Sequence, residues 1–114
     1  MKIELLCVPN CPNHAAALLM LRDVLSEQGL SEEVMEIEVS DPARAAAVSF
    51  LGSPTIRIDG RDVEPRMPEA GQHGLSCRTY WVDGKPQGVP QRKWIREMIL
   101  ASDQGAEQIE EGGP

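Results

Sequence analysis

The chain has 114 residues and a formal net charge of −7, and is 41% hydrophobic but only 4% aromatic. That is enough for one domain with a modest aliphatic core. The acidic balance argues against nucleic acid as a partner, because phosphate binding wants a basic face, and no stretch approaches the roughly 20 apolar residues that cross a bilayer.

Lys2 to Val8 reads as a buried strand, a short apolar run with a single glutamate, stopped by Pro9. Cys11-Pro12-Asn13-His14 then leads into a helix predicted from Pro12 to Gln28. Its Leu18, Leu21 and Leu25 form a wide stripe with Ala17, Met20 and Val24, closed by Gly29. Pro12 suits the first helical position, where its missing N–H would have no intrahelical partner. Ala15 to Leu21 is the longest apolar run. No basic segment precedes it and Arg22-Asp23 ends it, so it reads as a helix face rather than a signal-peptide core, and the protein is expected to be cytoplasmic.

Glu33 to Val39 reads as a second strand with imperfect alternation. Ser40-Asp41-Pro42 marks a helix start, a capping side chain before proline, and Ala43 to Leu51 a short helix ended by Gly52. Ser53-Pro54-Thr55 opens a third strand, Asp59-Gly60 signals a hairpin, and Arg61 to Glu64 is its returning strand. Pro65 to Ser76 is a long loop. Cys77 to Val82 alternates as a further strand, stopped by Asp83-Gly84. Pro90 opens a last helix with Trp94/Met98 and Ile95/Ile99 facing the core. Residues 103–114, acidic and Gly-rich, are expected to be a flexible tail, leaving 1–102 as the domain. The order β-α-β-α-β-β-α predicts an α/β fold with a mixed central sheet of about four strands.

Three cysteines are an odd number and too few for a secreted disulfide framework, which brings reactive or metal-binding thiols forward. Cys11 stands where a strand feeds a helix, and the unpaired N–H groups and dipole of a helix start favour a thiolate there. His14, about one helical turn on, suits a thiolate partner or proton donor, or is simply solvent-facing. Cys7, near the end of a central strand, reads either as an inert apolar group or as the partner of Cys11 in a C-x-x-x-C pair. If Thr55–Ile58 and Arg61–Glu64 pair about Asp59-Gly60, Cys77 lies at the Pro54 end with Cys11; if Cys77–Val82 itself pairs with Thr55–Ile58, it starts at the far end. The Asp-Gly signal favours the first arrangement. His73 is most simply an exposed polar residue. Cys7, Cys11, His14, His73 and Cys77 are soft-metal ligands by type, but their spacing matches no standard zinc module, so no resident metal or cofactor is expected.

With Cys11-Pro12-Asn13-His14 at the strand-to-helix corner and Gly52-Ser53-Pro54-Thr55 opening the third strand, the chain resembles the thioredoxin-like superfamily over roughly Met1 to Ser102. The resemblance implies that the Ser53–Pro54 bond is cis, that Pro54 packs against Cys11, and that Ser53, Pro54 and Thr55 present backbone to a substrate. The phrases GSPTIRIDGRDVEP and GLSCRTY resemble a group of small bacterial thioredoxin-like proteins, some labelled as related to organomercurial or mercury-resistance proteins. That label points to soft-metal or thiol chemistry and does not imply carbon–mercury lyase activity. The chain departs from the superfamily's C-x-x-C pattern, because His14 occupies the second cysteine's place and cannot resolve a mixed disulfide.

The expected function is therefore thiol–disulfide exchange at Cys11, with protein or small-molecule thiols and disulfides as partners. Cys77, Cys7 or an external thiol such as glutathione would resolve, with Cys77 favoured. The alternatives are capture of a soft metal ion (mercury, arsenite) between Cys11 and Cys77 without turnover, or a scaffold that binds a protein partner.

Overall fold

The computed structural model describes residues 1–65, 75 and 77–112, with side chains through Ser102. β1 (Ile3–Cys7) runs through the middle of a mixed sheet. It lies parallel to β2 (Val34–Glu38) and antiparallel to β3 (Thr55–Ile58), and β3 carries β4 (Arg61–Asp62) on its outer side, giving the order β2-β1-β3-β4. The two-residue period of a strand divides β1 between two cores. Ile3, Leu5 and Cys7 join Ile56 and Ile58 beneath α1 (His14–Glu27) and α3 (Arg92–Gly112), which contribute Ala17, Leu21, Val24, Leu25, Ile95 and Ile99. Leu6 points the other way and packs with Val39, Ala45 and Phe50 under α2 (Pro42–Ala47). The described residues are thus mixed α/β, with a four-stranded mixed sheet and three helices distributed over both faces.

The ends of the helices follow from local chemistry. The Asp41 carboxylate accepts from Arg44 N–H at 2.8 Å ahead of Pro42. α1 closes at Gly29 (φ 70°), with Leu30 N–H donating to Leu25 O at 2.9 Å. One boundary each of α1 and α2 differs from expectation. α1 begins at His14 with Asn13 as its cap, so Pro12 and Cys11 lie in the preceding turn. α2 ends at Ala47 because Ser49 (φ 54°) takes the left-handed closing position and Phe50 N–H donates to Ala45 O, so Gly52 is not its terminator.

Asp59 (φ 51°) and Gly60 (φ 81°) form the expected tight turn between β3 and β4. The Asp59 carboxylate also accepts from Lys2 N–H and from the Ser102 hydroxyl; the Ser102 bond first, then that from Lys2, holds it below the usual carboxylate range. Asp83-Gly84 is a second turn of the same kind. It joins β5 (Tyr80–Val82) to β6 (Lys85–Gln87) in a separate two-stranded sheet, a hairpin where the sequence predicts only the end of a strand. α3 continues through Gly112 into the segment read as a tail. Residues 66–74 and 76 of the expected loop, His73 among them, lie outside the described residues. Among the described residues no helix is long and apolar enough to cross a membrane.

Candidate thiol site

β1 delivers Cys7 to the end of the sheet, and the chain then turns at Pro9-Asn10. Asn10 adopts a left-handed conformation (φ 57°), which asparagine tolerates better than most residues, and this turns the chain toward the start of α1. Cys11 therefore comes back to the cavity that Cys7 lines. Both side chains are buried, with 5% and 9% of their surface exposed, and both belong to the core under α1. Cys7, Cys11 and Cys77 are all free thiols. Burial pushes the Cys7 thiol up to about 11; a hydrogen bond with Ser53 opposes this, while the charge and hydrogen bonding of Cys11 and the charge of Glu36 reinforce it.

Ser53 links these thiols to the third strand. Its Oγ accepts from Val8 N–H at 3.0 Å, and the Ser53–Pro54 peptide is cis. On its other side Ser53 forms an isolated parallel bridge with Cys77, and Arg78 N–H donates to Ser53 O at 2.9 Å. Cys77 thus stands at the Pro54 end of the sheet, with its side chain exposed.

The segment after Cys77 is fixed by a buried charge network. Arg78 donates to both Asp62 oxygens at 2.6 and 3.1 Å, to Glu64 at 2.7 Å and to Thr55 Oγ1 at 3.1 Å, with its guanidinium 4.5 Å from the centre of the Tyr80 ring. Burial alone would lower the Arg78 pKa, but hydrogen bonding to Asp62 and the surrounding carboxylates raise it, so the guanidinium is permanently charged. Tyr80 Oη donates to Pro54 O at 2.6 Å, and burial raises its pKa above the usual phenol range. Thr55 is buried, its hydroxyl donating to Gly52 O at 2.6 Å. The Ser53 and Pro54 carbonyls are therefore both engaged within the chain.

His14 turns across to β2, where Nε2 pairs with Glu36 Oε1 at 2.8 Å. Leu5, Cys7, Cys11, His14 and Glu36 line one cavity of about 340 Å³. Among the described residues no group of three or more His, Cys, Asp or Glu side chains is arranged to hold a metal ion.

No family model, curated protein or solved structure matches this chain. The candidate site therefore rests on its own geometry. That geometry brings Cys7 and Cys11 onto one cavity, ties Ser53 to Val8 beside them and places Cys77 beside Ser53, while His14 faces Glu36. Sequence reasoning missed the roles of Arg78, Asp62, Glu64 and Tyr80. The only signal was an alternate pair of acids in Asp62-Val63-Glu64 and a lone cation in the Cys77–Val82 run, and neither pattern says that the charges are buried. It also missed Gly88, which lies so close to Asn13 that a Cβ there would fall inside the asparagine side chain.

Proposed function

We propose that this protein has a thioredoxin-like fold and performs thiol–disulfide exchange at Cys11. The Cys11 thiolate attacks one sulfur of a disulfide R–S–S–R′, forming Cys11–S–S–R and expelling R′S⁻, which takes up a proton. His14, paired with Glu36 on the lining of the same cavity, serves as that proton's donor in this reading. A thiol then resolves the mixed disulfide. The observation that supports this reading is two free thiols, Cys7 and Cys11, that share one core cluster and line one cavity.

The test is turnover of a small aromatic disulfide by the reduced protein with glutathione as final reductant. Turnover is expected to fall to background in Cys11→Ser and to persist in a variant of exposed Trp81. Full activity in Cys11→Ser would overturn the reading. Two cysteines lining one cavity also suit a soft metal ion, since thiolates select such ions. Stoichiometric capture of mercury or arsenite with no disulfide turnover would favour that second reading.

A further inference from the structure

We infer that Cys7 is the thiol that resolves the mixed disulfide formed on Cys11, an inference that rests on the exchange reading above. In a thioredoxin-like corner the resolving thiol would lie three residues after the attacking one, and this chain has His14 there. The structure offers another thiol on the opposite side of Cys11. The left-handed turn at Asn10 folds the chain so that Cys7 and Cys11 share one core cluster and line the same cavity.

Cys77 is placed less well for this step. Its side chain is exposed whereas Cys11 is buried. Its backbone is bridged to Ser53, and the next residue is the buried Arg78, fixed by Asp62, Glu64 and Thr55. Bringing Cys77 onto Cys11 would pull against that anchor.

The reaction balances as Cys7–SH plus Cys11–S–S–R giving Cys7–S–S–Cys11 plus RSH. The Cys7–Cys11 S–S bond forms, the Cys11–S–R bond breaks, and the proton leaving Cys7 ends on the released thiol. An external monothiol, taken twice, or one dithiol reduces the new disulfide and restores both thiols. Burial keeps Cys7 protonated at rest, so it does not compete with Cys11 for the incoming disulfide. Resolution begins when Cys7 gives up its proton. The thiolate then formed is intrinsically the stronger nucleophile for its high pKa, and it attacks within the same cavity rather than from solution.

The experiment uses the full chain as Cys77→Ser, alone and combined with Cys7→Ser or Cys7→Ala. Each reduced protein is mixed with an aromatic disulfide whose thiol is coloured, and the product is mapped by mass spectrometry. Cys77→Ser is expected to release two coloured thiols per chain and to carry a Cys7–Cys11 disulfide. With Cys7 also replaced by either residue, the aromatic adduct should persist on Cys11, with the second release slowed at least about 100-fold. If the adduct persists in Cys77→Ser while the wild type forms a Cys11–Cys77 link, the inference is overturned and the exchange reading stands. If no adduct forms on Cys11 in any variant, the exchange reading fails and the inference with it.

Discussion

At Cys7, burial outweighs the hydrogen bond from Ser53, and the thiol stays protonated well above neutral pH. The consequence for stability has a definite sign. An unfolded cysteine loses its proton near about 8.5, whereas folded Cys7 holds it up to about 11. Between these values the folded chain binds the extra proton, so this contribution is fully present below the unfolded value and is lost as pH rises toward the folded one. Urea unfolding across that alkaline window should show the wild type losing stability more steeply than Cys7→Ser, with the two slopes matching at neutral pH. Parallel slopes throughout would place Cys7 in a less buried setting than the one described. The His14–Glu36 pair differs in kind, because both side chains are around two-fifths exposed (40% and 44%), and such pairs contribute at most about 1 kcal/mol.

Between elements, the Arg78 network ties the strand that follows Cys77 to β4 and β3. Asp62 and Glu64 alternate along the chain so that both carboxylates reach one guanidinium, and Tyr80 extends the same cluster to the Pro54 carbonyl. Removing the cation would leave buried carboxylates uncompensated, which costs about 3–5 kcal/mol, a large share of the ~5–15 kcal/mol that holds a domain together. Arg78→Ala should therefore lower the denaturant midpoint sharply. Arg78→Lys should recover only part of the loss, because an ammonium cannot make the two-pronged contact with Asp62. Equal midpoints for wild type and Arg78→Ala would show that the network contributes nothing to folding.

Across the whole molecule, the second hairpin reaches the thiol site through Gly88. The Asn13 side chain fills the space a Cβ at Gly88 would need, and Asn13 caps the helix that follows Cys11. Gly88→Ala should push Asn13 aside at a cost on the order of 1 kcal/mol, as small overpacking changes do. The alkylation rate of Cys11 should change while that of exposed Cys77 serves as an unchanged internal reference. Unchanged rates at both thiols would mean that the hairpin and the site are uncoupled.

Local order was legible wherever neighbours along the chain decide it. Asp41-Pro42 starts α2, Gly29 closes α1, Asp59-Gly60 turns β3 into β4, and Cys11 falls at a strand-to-helix corner, because capping, left-handed turns and strand alternation are properties of a few adjacent residues. The pairing of β6 was hidden, since Lys85-Pro86-Gln87 carries a proline and no apolar alternation, and only its partner Tyr80-Trp81-Val82 makes it a strand. The site divides the same way. The sequence by itself marked Cys11, Ser53, Pro54 and Cys77 as residues to watch. Only the tertiary structure decided that Cys7 and Cys11 line one cavity, that Ser53 links Val8 to the Cys77 segment, and that Arg78 is buried on two acids. Burial and long-range charge pairing depend on which distant segments share a sheet edge, and no local pattern of residues records that.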